Sequence, residues 1–285
     1  MSRTPFRRAL TALGIAAVTA TALAACATGT NDLGPDETAS DYVTEGKLTI
    51  ATGEPAYYPW VLDDSDIESG EGFEAAVAYA VAAELGFDKA DVVWVRTTFD
   101  AAIAPGPKTF DFNLQQFSIT DERKEVVDFS SPYYETTQVV ISTEDSPAAG
   151  VTTLDGLADL RVGAMTGTTS LATLEATVDL AGGAQVFNSN DDAKLALESG
   201  TVDAIVVDLP TAFYLVGVEL TGGVIVGQLP TVEGQTGDQF GLLLPKDSPL
   251  TADVTKAVDT LRDNGTLAEL EATWLADAGD APVLK

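Results

Sequence analysis

The chain has no histidine and a single cysteine, Cys26, in 285 residues. Without histidine there can be no Ser-His-Asp or Cys-His nucleophile and no imidazole ligand for zinc, so acid–base chemistry would fall to carboxylates or lysine. Without a second cysteine no disulfide can form within the chain, and the fold must rest on buried apolar area. Basic residues are also scarce: 15 Lys and Arg stand against 44 Asp and Glu, a formal charge of −29. That balance excludes nucleic acid as a partner, since its phosphates need a basic surface, and it disfavours adsorption to anionic lipid. The excess acid serves solubility and mutual repulsion between copies.

Long apolar runs are missing except at the start, where Arg3, Arg7 and Arg8 precede an apolar stretch from Ala9 to Ala25. A basic start followed by a short apolar run is the pattern of a secretory signal, and the run falls short of the roughly 20 residues a spanning helix needs. It ends in Leu23-Ala24-Ala25-Cys26, which resembles the lipobox where a bacterial signal peptidase cuts ahead of a cysteine that carries lipid. The expectation is a signal peptide over 1–25 and a protein held on the outer face of the cell membrane by lipid on Cys26. Processing removes three arginines and no acids, leaving 12 basic and 44 acidic residues and a charge of −32.

From Ala27 to Glu45 the sequence is small, polar and acidic with no apolar period, which predicts a flexible tether over 26–45 together with the lipidated cysteine. Beyond it short apolar runs alternate with helical patterns: KLTIAT, the alanine-rich EAAVAYAVAAELG, VVWVR, FDAAIA and FDFNLQ. This alternation predicts an α/β architecture with parallel strands. The order recurs after about residue 150 with DLRVGAM, SLATLEATVDLAGG, AQVF, DDAKLALESG and VDAIVVD. Two tandem α/β units imply two lobes, a first over 46–141 plus 238–285 and a second over 142–237, with a ligand cleft between them.

Four stretches carry a family resemblance: Gly53-Glu54-Pro55-Ala56-Tyr57-Tyr58-Pro59-Trp60; Gly72-Phe73-Glu74 and the helical pattern after it; Phe117-Ser118-Ile119-Thr120-Asp121-Glu122-Arg123 running on to Tyr134; and Val202 to Asp208. They resemble the bacterial extracellular solute-binding proteins of family 3, the receptors for polar amino acids, over about 46–276. The resemblance implies the two-lobed, class II fold of periplasmic binding proteins. It also implies a free amino acid as ligand, a permease of the ATP-driven ABC importers as membrane partner, a monomer, no cofactor and no catalysis.

Residue by residue, Arg123 matches the family's carboxylate-binding arginine, whose planar fork can bond both oxygens. Ser118 matches a position that contacts the ligand's backbone groups, and the turn Gly167-Thr168-Thr169 matches one that completes the carboxylate cage ahead of a helix. Asp208 matches the amine-binding aspartate, with Ser118 and Gln116 beside it. Tyr57 and Phe99 match the residues that sandwich the ligand side chain, while Glu54 and Gln115 are placed to line that end of the pocket. Read without the family, Arg123 could be a surface arginine in an acidic run and Asp208 could cap the helix begun by Pro210.

The chain departs from the pattern at Asn113-Leu114-Gln115-Gln116-Phe117, bulky and rich in amides where many relatives carry small residues. The acidic loop from Asp63 to Gly72 is not a calcium loop, because Ser69 and Ala75 stand where an EF-hand starting at Asp64 needs Gly and Glu. Two other functions share this scaffold: a dehydratase-like cleft enzyme, and a ligand-sensing subunit for a membrane receptor.

Overall fold

A computed structural model describes residues 40–231, 237–275, 279 and 281–285. The signal peptide, Cys26 and most of the expected tether lie outside the described residues.

Among the described residues ten strands form two five-stranded sheets. The first holds β1 (Leu48–Gly53), β2 (Val92–Thr97), β3 (Phe112–Asn113), β4 (Val127–Thr136) and β10 (Asp238–Pro245), in the order β2-β1-β3-β10-β4. The second holds β5 (Gln138–Thr143), β6 (Val162–Met165), β7 (Gln185–Phe187), β8 (Ala204–Asp208) and β9 (Gly223–Gln228), in the order β7-β6-β8-β5-β9. Around them run α1 (Phe73–Glu84), α2 (Phe99–Ile103), α3 (Asp121–Lys124), α4 (Thr169–Thr177), α5 (Asn190–Glu198), α6 (Leu209–Tyr214), α7 (Thr251–Asp263) and α8 (Thr266–Trp274). This is the two-lobed class II architecture.

The expectation of parallel strands needs correction, because each sheet is mixed. β1 runs parallel to β2 and β3, but β10 pairs antiparallel with β3 and β4; in the second sheet β6 runs parallel to β7 and β8, but β5 is antiparallel to β8 and β9. The reversed strand is in each case the one by which the chain arrives from the other lobe. It enters from the cleft side and so points against the strands built within the lobe.

Three boundaries also differ from the sequence reading. Gln138–Thr143 belongs wholly to the second sheet, so the chain crosses at Thr137 and not after residue 141. The last residues, expected in the first lobe, lie on the second: Gln228 donates its N–H to Pro282, Leu284 donates to Gln228, and Leu284 is buried in that lobe's core. Residues 40–45 are docked and do not belong to a free tether, since Tyr42 packs edge-on against Phe87 at 5.0 Å and Val43 N–H bonds to Asp111 Oδ1 at 2.8 Å.

Burial of both sheet faces explains the apolar runs. In the second lobe Val139, Ile141, Ile205 and Val207 face α5 and α6, while Val140, Val206, Val162 and Ala164 face α4, the two-residue alternation of a strand. In the first lobe α7 buries Val254, Ala257, Val258 and Leu261, at helical spacing, against Leu242 and Leu244 of β10 and against α1. α1 starts against the Tyr58-Pro59-Trp60 turn, with Phe73 N–H bonded to Pro59 O and Glu74 N–H to Trp60 O, both at 2.9 Å. Gly72 permits this approach: its φ is +104°, and a Cβ there would lie 2.6 Å from the Trp60 carbonyl oxygen.

Several contacts among the described residues bridge the lobes. Trp60 Nε1–H donates to Thr211 Oγ1 at 3.0 Å, Ser118 Oγ lies 2.9 Å from Thr169 Oγ1, Arg123 Nη2 donates to Gly167 O at 2.8 Å, and the rings of Tyr58 and Tyr214 lie 4.4 Å apart. The lobes are therefore closed on one another.

Candidate functional site

Arg123 is buried, at 8% exposure, and is not the surface arginine its acidic neighbours allow. Thr120 caps the short helix α3, its Oγ1 accepting the Arg123 N–H at 3.2 Å, and this turns the side chain inward from between Asp121 and Lys124. The guanidinium donates from Nη1 to Ser118 O at 2.6 Å and from Nη2 to Gly167 O, and it sits 5.4 Å over the ring of Phe99, itself stacked on Phe117 at 4.8 Å. Burial pushes its pKa down to about 10, so it remains a cation at physiological pH. Among the described residues no carboxylate lies within ion-pair distance of it.

Across the cleft, Gly167 takes a φ of +70° and brings Thr168 to the N-terminus of α4. Thr168 Oγ1 accepts the Leu171 N–H at 3.2 Å and donates to Met165 O at 2.7 Å, so Thr168 caps the helix. Thr169 meets Ser118. The first turn of α4, with its outward N–H groups, thus faces the guanidinium and makes an anion-favouring corner.

Asp208 ends β8 and caps α6. Its Oδ1 accepts the Thr211 N–H at 3.1 Å and its Oδ2 the Thr211 hydroxyl at 3.0 Å. Capping and cavity-lining are therefore one role, not alternatives, since the cap turns the carboxylate to the head of the cleft. At 9% exposure and without a cation in reach among the described residues, its pKa is pushed up to about 6 by burial, with the Thr211 bonds opposing and the Asp238 charge adding. Tyr57, Phe99, Gln115, Gln116, Ser118, Arg123, Thr168, Thr169 and Asp208 all line one cavity between the sheets.

The residues from 48 to 277 match the bacterial extracellular solute-binding proteins, family 3. The chain belongs to that family. Among curated relatives, the L-arginine-binding protein of Pseudomonas aeruginosa is 31% identical over 232 residues, 78% of this chain and 86% of that protein. Among solved structures, an ancestral arginine-binding protein bound to glutamine is 29% identical with a TM-score of 0.67, covering 81% of this chain and 98% of that one. An ancestral amino-acid-binding protein described as a precursor of cyclohexadienyl dehydratase is also 29% identical, with a TM-score of 0.66 over 81% of this chain and 95% of that one. No helix among the described residues of this solute-binding protein is long and apolar enough to cross a membrane.

One expected lining residue is misplaced. Glu54 is exposed, its N–H prolonging the β1–β2 ladder to Thr97 O at 3.1 Å while its side chain stays in solvent, where a carboxylate without a partner cation is cheapest to keep. The buried acid that supports the cavity wall in this lobe is Glu74, at 1% exposure on α1. It accepts the Gln116 N–H at 2.7 Å, the Gln116 carboxamide N–H and the Tyr133 hydroxyl, and so holds Gln116 at a φ of +52° on the cavity wall. Burial pushes its pKa up to about 7, those three bonds oppose the rise, and the Asp208 charge adds to it. A sequence signal for Glu74 exists: it is the lone acid on the stripe Glu74, Val77, Ala78, Val81, the buried face of α1.

Further lining residues escaped the sequence reading: Gln138, Met165, Ser170, Asn190 and Phe240. Gln138 and Ser170 are joined by a 2.6 Å bond from the hydroxyl to Oε1, and Gln138 also donates to Asp238 beside the return crossing. Nothing in their local sequence marks them: Gln138 and Phe240 lie on the crossing strands β5 and β10, while Met165 ends β6 and Ser170 and Asn190 lie in the first turns of α4 and α5.

Proposed function

We propose that this protein captures a free amino acid between its lobes, with Arg123 gripping the α-carboxylate and Asp208 the α-ammonium. The observation that carries this reading is a buried cation on α3 of the first lobe and a buried anion at the end of β8 in the second, each without a counter-ion among the described residues and both on the wall of one cavity. Unpaired buried charges are costly, and a zwitterion neutralises both at once. Ser118, Thr168 and Thr169 complete the carboxylate end, Gln116 with Ser118 supports the ammonium end, and Tyr57, Phe99 and Gln115 receive the side chain. The lobes are joined at Thr137 and at the return into β10, and they close by a hinge, so binding energy is coupled to closure.

Delivery is to an ABC permease, from a monomer anchored through lipid on Cys26. Binding is favoured over dehydratase-like catalysis because Asp208 is the only carboxylate among the described residues that line the cavity, and Glu74, the buried acid behind Gln116, has both oxygens occupied by three donors.

Calorimetry on Arg123→Ala, Arg123→Lys and Asp208→Asn tests the clamp. Arg123→Ala and Asp208→Asn each lose about 2–5 kcal/mol, roughly 30-fold to several thousandfold in Kd, because one desolvated ligand charge is left unpaired, and Arg123→Lys also weakens binding because an ammonium cannot reproduce the bidentate fork. Retention of amino-acid binding within threefold by both Arg123→Ala and Asp208→Asn refutes it. Cys26→Ala releases the protein from the membrane or leaves it unprocessed; a variant that stays bound and trimmed refutes the anchor.

A further inference from the structure

Resting on the hinge reading above, we infer that residues 281–285 are a strap that ties the first lobe to the second beside the two hinge crossings and limits how far the cleft opens. The chain leaves the first lobe at the end of α8, where Leu275 is buried in that lobe's core and donates its N–H to Glu271 O at 2.8 Å. It is next fixed on the second lobe. Gly279 lies against Phe213 of α6, where a Cβ would come within 3.1 Å of the ring. Residues 281–285 follow, beyond residue 277 where the family match ends.

The seat of these residues is built into the second lobe. Its sheet ends in the edge strand β9, and Val283 forms a parallel bridge with Gln228, the last residue of that strand. Gln228 donates its N–H to Pro282 O at 2.8 Å, Leu284 to Gln228 O at 2.9 Å and Leu154 to Lys285 O at 2.9 Å. The Gln228 carboxamide adds a 2.6 Å bond to Ala281 O. Leu284, 3% exposed, joins Leu157, Val226 and Leu229 in the lobe's core. Gly227 is fitted to the tail, since a Cβ there would lie 2.7 Å from Pro282 O and 2.8 Å from Leu284 Cδ2. A chain end without such bonds and burial frays, whereas this one covers an edge that would otherwise present unpaired donors and acceptors.

Both hinge crossings are rooted at the same edge. Val139 pairs with Gln228 across β5 and β9, β5 begins one residue after the crossing at Thr137, and Leu229 donates its N–H to Gln138 O at 2.8 Å as the chain turns toward β10. The strap therefore grips the second lobe at the root of the hinge but starts from α8 and not from the first lobe's sheet. Two neighbouring strands let the lobes bend and twist about them. A third connection from a separate point resists the twist and sets a limit to the bend. Covalent geometry fixes that limit: six residue steps separate Leu275 from Ala281, so the two anchors can part to no more than about 20 Å.

The test is double electron–electron resonance between spin labels at Glu125→Cys and Glu175→Cys, exposed on opposite lobes beside Arg123, in the full-length chain carrying Cys26→Ser in mild detergent. Three forms are compared without ligand: this parent, the parent with about ten Gly and Ser residues inserted after Ala276, and the parent with Leu284→Asp. Both strap variants should show a mean distance longer than the parent's by at least about 5 Å, well beyond the 1–2 Å of a local helix shift. Amide exchange at position 284 should stay slow in the lengthened form, whose tail remains seated, and become fast in Leu284→Asp. A lengthened form that keeps the parent's distance overturns the strap, whether or not Leu284→Asp folds. L-arginine and L-glutamine, each in excess, are then added to the parent and to the lengthened form. If either shortens the parent's distance while the ligand-free lengthened form matches the ligand-free parent, the hinge stands and the strap alone falls. If both forms hold one distance while calorimetry registers binding of either amino acid, the hinge reading falls together with the strap.

Discussion

Replacing Glu74 by glutamine makes a quantitative demand on the structure. Burial raises the carboxyl from an ordinary 4.5 to about 7, so the folded protein holds this proton more tightly than the unfolded chain does. Stability is therefore greatest with respect to this group below about 4.5, falls as pH rises through the window up to about 7, and levels off above it. The shift corresponds to a loss on the order of 3 kcal/mol by pH 8. Glu74→Gln has no charge to desolvate. Its Oε1 still accepts the Gln116 N–H and the Tyr133 hydroxyl, and the Gln116 carboxamide can turn over to face the new NH2, at a cost of about 1 kcal/mol for the rearranged bond. Ligand-free urea unfolding at half-unit steps from pH 5 to 8 should show the variant near or slightly below wild type at pH 5. At pH 8 it should be more stable by about 2 kcal/mol. The difference between the two curves isolates Glu74 from every other titrating group. A difference that stays constant within about 0.5 kcal/mol across the range refutes the reasoning.

The remaining predictions concern the cleft and its support. Asp208 sits at about 6 without ligand, and an ammonium favours its ionised form, so affinity should be flat above about pH 6 and fall by up to tenfold per unit below it. Calorimetry in two buffers of different ionisation enthalpy should register proton release between pH 5 and 6. Thr211→Val removes the hydroxyl bond that favours the Asp208 carboxylate and the acceptor for the Trp60 indole, so the midpoint of that fall should rise by about one unit. An unmoved midpoint would show that the hydroxyl does not support the charge. Gly72→Ala places a Cβ 2.6 Å from the Trp60 carbonyl oxygen at a φ no alanine favours, and it should cost more than about 2 kcal/mol in thermal or urea unfolding.

Sequence alone determined whatever is written in contiguous residues. The alternation of apolar runs and helical patterns gave the α/β class and the tandem units, because strand and helix periods are properties of the local chain. The run from Phe117 to Tyr134 identified Arg123, since the capping Thr120 and the following strand fix its orientation within a few residues. Asp208 was legible for the same reason, at the end of one apolar strand and the start of a helix. The tertiary structure decided what depends on how the chain crosses between lobes. The reversed strands β5 and β10 carry apolar runs that read alike in either direction, so the pattern cannot state their sense. Glu54 and Glu74 are both acids beside family motifs, and only the packing of α1 under β3 and β4 decides that Glu74 is buried with three donors while Glu54 faces water. The cleft itself joins Trp60 to Thr211, Ser118 to Thr169 and Arg123 to Gly167. Partners so far apart in the chain leave no periodic trace, and only closure of the two lobes brings them within hydrogen-bonding distance.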